Sequence, residues 1–120
     1  MTTRGALTIA LAQMSQMPSG KPLGAFENDV RRVASMRSGE GLRPELIVFP
    51  EMHLYGTGEL DDERSYRAQC ASATDLHDGL AAKLGGIARE LGVWLIPGTV
   101  AERNPAGGIF NTAPVFSPKG

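Results

Sequence analysis

Pro44-Glu45-Leu46-Ile47-Val48-Phe49-Pro50-Glu51 is the stretch on which the fold turns. Leu46 to Phe49 are four consecutive apolar residues, enough for a short strand buried on both faces. Pro50 lacks the backbone donor that a ladder needs, so the strand ends there and Glu51 falls at its carboxyl end. Ligands of open α/β sheets gather at that end. A carboxylate so placed is suited to general acid or base work. A solvated carboxylate that merely follows a strand has the same local sequence.

Working outward, residues 6–13 read as a first strand. Leu7, Ile9 and Leu11 fall on one face, and Ala6, Thr8, Ala10 and Ala12 on the other, a pattern suited to a sheet covered on both sides. Pro18, Gly20 and Pro22 make the next segment a loop. Phe26, Val30, Val33 and Ala34 follow helical spacing, with Asn28, Asp29, Arg31 and Arg32 on the polar side. Gly39 or Gly41 is the expected stop. After the strand of residues 45–49, residues 51–71 read as one long irregular segment, of the kind that often shapes binding sites.

The clearest helical period is Leu76, Leu80, Leu84, Ile87 and Leu91, with Ser72 or Thr74 as cap and Gly92 as stop. Gly85-Gly86 within it costs helix propensity and permits close backbone packing. Residues 93–100 give a third strand bent at Pro97, residues 104–108 a turn, and residues 109–116 a fourth strand. The expected order is β-α-β-α-β-β. An edge strand left open at the end of this series invites pairing.

Composition narrows the class of function. The 120 residues are 42% apolar and 21% charged, which describes a globular domain with a real core. A formal charge of −1 offers no electrostatic basis for binding nucleic acid or an anionic membrane. No apolar run approaches the length of a membrane span, and residues 6–12 lack the cleavage site of a signal peptide. Cys70 is the only cysteine, which excludes an internal disulfide and any multi-cysteine zinc site. A reducing cytoplasm is the expected compartment.

Four segments together resemble the N-terminal part of the nitrilase superfamily, the carbon–nitrogen hydrolases. They are Ile9-Ala10-Leu11-Ala12-Gln13-Met14, Leu46 through Glu51, Gly92-Val93-Trp94-Leu95-Ile96-Pro97-Gly98-Thr99, and Phe110-Asn111-Thr112-Ala113. They stand in the family's order and at similar spacing over almost the whole chain. The resemblance implies an α/β fold, a partial four-layer α-β-β-α sandwich, in which residues 1–120 are the N-terminal part of a single hydrolase domain. It also implies a Glu-Lys-Cys catalytic set that cleaves amide, nitrile or carbamoyl bonds through a thioester, without metal or organic cofactor. Implied partners are a small-molecule substrate and further copies of the complete protein.

In that set the glutamate corresponds to Glu51. The lysine and cysteine are expected beyond residue 120. Lys119 stands too early and in a turn, Lys83 belongs to the polar side of a helix, and Cys70 lacks the family's position and flanks. The chain alone is therefore expected to be inactive. Tyr55, close after Glu51, is a candidate substrate-pocket residue and equally an ordinary packed tyrosine. Family members often carry Gly-Tyr shortly after the glutamate, whereas Gly56 is followed here by Thr57.

Other groupings are weaker. Glu51, His53, Cys70 and His77 have no recognised metal-ligand spacing. Asp61-Asp62-Glu63 reads as a solvated acidic run, and Gly56-x-Gly58 lacks the third glycine of a dinucleotide site. The competing class of function is a non-catalytic binding or assembly module, or one half of a split enzyme, that pairs through the open sheet edge.

Overall fold

The computed structural model describes residues 5–18, 22–56 and 61–120. Gly20 of the expected first loop, and Thr57, Gly58 and Glu59 of the expected long one, lie outside the described residues. Three short parallel strands form the central sheet: β1 (Ile9–Leu11), β2 (Leu46–Val48) and β3 (Trp94–Ile96), in the order β1-β2-β3. Their register sets Ala10 beside Ile47 and Leu95, with Ile9, Leu46 and Trp94 in one flanking row and Leu11, Val48 and Ile96 in the other.

The middle row faces two helices, α1 (Leu23–Ser35) and α3 (Ala81–Leu91). Phe26 and Val30 of α1, Leu84 of α3, and Ile47 and Leu95 of the sheet are completely buried in one cluster. Complete burial of side chains of this size is worth about 1.5–3 kcal/mol each. All four residues expected on the inner face of α1 are buried. On the outside, Arg31 of α1 bonds Glu27 and Glu90 at 2.8 Å each, linking α1 to α3, and both partners hold its guanidinium above the usual arginine range.

The flanking rows give a correction. Leu7, Ile9 and Leu11 were expected to be covered, but they are exposed, as is Trp94. The small side of β1, Ala10 and Ala12, packs on the core instead. This sheet is covered by helices on one face and presents an apolar surface on the other.

The helices also depart from expectation. α1 ends at Ser35, with Met36 at its cap in extended conformation, before Gly39. Within the segment expected to be irregular lies α2 (Asp62–Ser72). The acidic run is its start signal: the Asp61 side chain accepts from the Arg64 backbone N–H, and Asp62 and Glu63 occupy the first turn. The leucine series beginning at Leu76 is not one helix. A kinked turn over Leu76–Leu80 precedes α3, broken at Asp78 and at Gly79 with φ of 98°. Asp75, rather than Ser72 or Thr74, caps this turn through the His77 N–H at 2.9 Å. Gly92 is the stop, with φ of 66°.

β4 (Val100–Arg103) and β5 (Ile109–Thr112) form an antiparallel hairpin separate from the central sheet, pairing Ala101 with Asn111. Its turn at residues 104–108 falls where expected. Phe116 returns to β3, exchanging two backbone hydrogen bonds of 2.9 Å with Leu95. That return brings the last residues against α3, where a Cβ on Gly85 would stand 3.2 Å from the Gly120 backbone. The order is β-α-β-α-α-β-β-β. Among the described residues, no helix is long and apolar enough to cross a membrane.

Candidate active site

Glu51 stands just beyond β2, after Phe49 closes the sheet with a 2.9 Å bond to the Ile96 carbonyl. The chain then turns sharply. Met52 has φ of 52°, the left-handed region that non-glycine residues rarely enter. Its backbone N–H donates to Thr99 Oγ1 at 2.9 Å, which holds the turn against the segment between β3 and β4. A 3₁₀ turn over His53–Tyr55 follows. Across it, the Met17 N–H donates to the His53 carbonyl at 2.6 Å and the Gly56 N–H to the Met17 carbonyl at 2.8 Å.

Two side chains grip Glu51 itself. Gln16 Nε2 donates to the Glu51 carbonyl oxygen at 2.7 Å, and Asn111 Nδ2 donates to Glu51 Oε1 at 2.7 Å. Glu51 is exposed and borders a cleft of about 330 Å³ lined also by Gln16, Gln69, Ile109, Phe110 and Asn111. The contributing segments are the loop after β1, the end of β2, α2 and β5. This lining joins carboxamides to an apolar wall. It gives one carboxylate access to a bound small molecule.

Three of these residues had no role in the sequence. Asn111 lay within a quoted family segment without an assignment. Gln16 belonged to a loop, and Gln69 to the segment whose helix was missed. Hydrophobic periodicity cannot find them, because each is a polar residue brought in by a tertiary contact.

The remaining candidates lie elsewhere. Tyr55 lines a separate cavity of about 280 Å³ with Met17, Leu23, Leu54 and Lys83, and burial pushes its phenol above the usual tyrosine range. Lys119 is exposed in the turn closed by the Gly120 N–H to the Ser117 carbonyl. Cys70 is half-buried on α2, where its contact with Tyr66 raises the Tyr66 phenol. His77 is exposed. Among the described residues, no three His, Cys, Asp or Glu side chains are placed to hold a metal ion.

His53 is the unexpected member of the turn. It is completely buried between Phe26 and Phe49, with ring centroids 5.9 Å and 4.9 Å away. Neither ring nitrogen has a hydrogen-bond partner among the described residues. Burial lowers its pKa from the ordinary 6.5, and Asp29 on α1 opposes that only in part. A histidine held neutral binds fewer protons folded than unfolded. Its stability contribution is therefore complete above about pH 6.5 and falls as the pH drops below that value. The slope from one such group cannot exceed about 1.4 kcal/mol per pH unit. We expect His53→Leu to flatten the acid limb of chemical-unfolding stability between pH 7 and 5. An unchanged limb would show that other groups govern it.

The family model for carbon–nitrogen hydrolases matches residues 8–120, and the chain belongs to that family. A solved structure of XC1258 from Xanthomonas campestris, a CN-hydrolase superfamily protein with an arsenic adduct in its active site, superposes with a TM-score of 0.66 at 23% identity. That match covers 93% of this chain and 37% of the other. An N-terminal amidase solved with a Gln-Gly peptide superposes with a TM-score of 0.63 at 16% identity, covering 94% of this chain and 25% of its own. The chain thus spans little more than a third of one neighbour and a quarter of the other. At these identities the likeness is one of fold. No curated protein matches the sequence.

Proposed function

We propose that this chain is the N-terminal part of a cofactor-independent amide hydrolase in which Glu51 is the general base. The observation that carries the reading is a carboxylate at the carboxyl end of a parallel strand, anchored by Asn111 and bordering an open cleft, in a member of the carbon–nitrogen hydrolases. In the proposed reaction Glu51 takes the thiol proton of a cysteine supplied from beyond residue 120. The thiolate attacks the amide carbon, the C–N bond breaks, and the proton passes from Glu51 to the departing amine. Glu51 then takes a proton from water as it attacks the thioester, and the acid leaves as the proton returns to sulfur. A lysine from the same missing region stabilises the charge on the carbonyl oxygen.

The uncovered apolar rows of the sheet support this partial-domain reading, because they give a second sheet a surface on which to complete a four-layer sandwich. They equally favour a second reading, in which a separate chain covers that surface and the two form a split enzyme. A cytoplasmic location and a homo-oligomeric complete protein belong to the same proposal. Amides are the first substrates to assay, since one structural neighbour is an amidase. We expect residues 1–120 alone to release no ammonia above buffer from simple amides, and the full-length gene product to do so. Turnover by the isolated chain, abolished by Glu51→Gln, would overturn the need for a lysine and cysteine from elsewhere.

A further inference from the structure

We propose that Asn111 is the positioning residue of the candidate general base, fixing the Glu51 carboxylate so that its proton is gained and lost at Oε2. This rests on the reading of Glu51 as that base. Asn111 Nδ2 donates to Oε1 at 2.7 Å, and Oε2 receives no hydrogen bond from the described residues. A carboxamide NH2 is a donor in every protonation state met near neutrality. It therefore satisfies Oε1 whether Glu51 is charged or protonated. The other amide orientation would turn a carbonyl oxygen toward a carboxylate, so the donor assignment follows from charge.

The scaffold behind Asn111 is firm although the side chain is exposed. Asn111 pairs across the hairpin with Ala101, which is buried, and the Ala101 carbonyl accepts from the Thr74 N–H at 3.0 Å. The start of the same hairpin bears on the other side of the site, since Thr99 just before β4 holds the Met52 N–H. Gln16 reaches the Glu51 main chain, and Asn111 reaches its carboxylate. The residues between β3 and the end of β5 thus hold both the backbone turn and one oxygen of the carboxylate. A single hydrogen bond between two exposed side chains contributes little to stability, so its removal should be felt in rate far more than in folding.

The test combines side-chain amide NMR with kinetics on the full-length gene product. The Asn111 NH2 signals should be distinct in the wild type and move toward those of a solvated carboxamide in Glu51→Ala. Asn111→Ala should lower kcat about 10- to 100-fold with KM within about two-fold and an unchanged unfolding midpoint. Asn111→Asp should be slower still, because two carboxylates would face each other. Amide signals indifferent to Glu51→Ala would overturn the pairing. A kcat for Asn111→Ala within two-fold of wild type would overturn the positioning role. Failure of the underlying reading is separately visible, since Glu51→Gln would then hydrolyse as fast as wild type whatever Asn111 does.

Discussion

Alanine at Gly98 is expected to destabilise the fold by about 3–5 kcal/mol, a large part of the 5–15 kcal/mol that holds a typical domain together. Gly98 has φ of 95°, a conformation that L side chains rarely adopt. The larger effect is steric. A Cβ there would stand 2.0 Å from the Pro50 carbonyl oxygen, 3.1 Å from its carbon and 3.2 Å from His53 Cβ. The nearest atoms are backbone, so no rotamer change relieves the clash. The turn carrying Glu51 and the segment leaving β3 would have to separate, which strains the Met52 to Thr99 bond that holds them.

Gly86 is the control. It lies in α3, and nothing approaches within 4 Å of a Cβ placed on it. Gly86→Ala should stabilise by about 1 kcal/mol, through helix propensity and a less flexible unfolded chain. Urea midpoints of the two variants should therefore move in opposite directions. If Gly98→Ala lay within about 1 kcal/mol of wild type, the close apposition of Pro50 and Gly98 would be wrong.

The apolar patterns carried the central elements. The run Leu46 to Phe49 between two prolines contains the parallel strand β2, and the spacing Phe26, Val30, Val33 and Ala34 is the buried side of α1. In α1 one face meets the core, so period reports structure directly, whereas the β2 run is apolar throughout and only its Ile47 and Phe49 side is buried. α2 was not legible in this way because it buries no residue, and its polar sequence offers no stripe. Its start was written in Asp61-Asp62-Glu63, but an N-cap with acidic residues in the first turn resembles an ordinary charged run when no apolar period follows. The leucine series from Leu76 misled for the opposite reason. Its spacing runs smoothly through a backbone that breaks at Gly79.

Alternation in β1 marked the two faces but not which would be covered. Leu7, Ile9 and Leu11 carry more apolar area than Ala6, Ala10 and Ala12, yet the small side meets the helices. Small residues allow close approach of the helical layer, and the large ones form an apolar surface on the far side. At the site, strand-end logic found Glu51 from local sequence. It could not find Asn111, sixty positions away and joined to Glu51 only by the hairpin's return.

Glu51→Gln should lower kcat for amide hydrolysis by the full-length protein about 10²- to 10⁴-fold, the range for a general acid–base group. The unfolding midpoint should hardly move. Glutamine keeps an Oε1 that can accept from Asn111, and the Gln16 and Met52 bonds that fix the turn involve no Glu51 side-chain atom. The loss should also have a particular form. In the proposed cycle Glu51 serves twice, in forming the thioester and in hydrolysing it. An activated ester needs no proton for its leaving group and can be attacked by the thiolate, roughly a few per cent, that a cysteine carries near pH 7. The first step should therefore proceed, though slowly, while the second stays blocked. The variant incubated with such an ester should accumulate an adduct of the acyl mass, seen by intact mass spectrometry, while the wild type turns it over. Equal kcat for Glu51→Gln and wild type would remove Glu51 from the chemistry. A slow variant without an adduct would show that thioester hydrolysis keeps pace with its formation, which would overturn the second step as the one most dependent on Glu51.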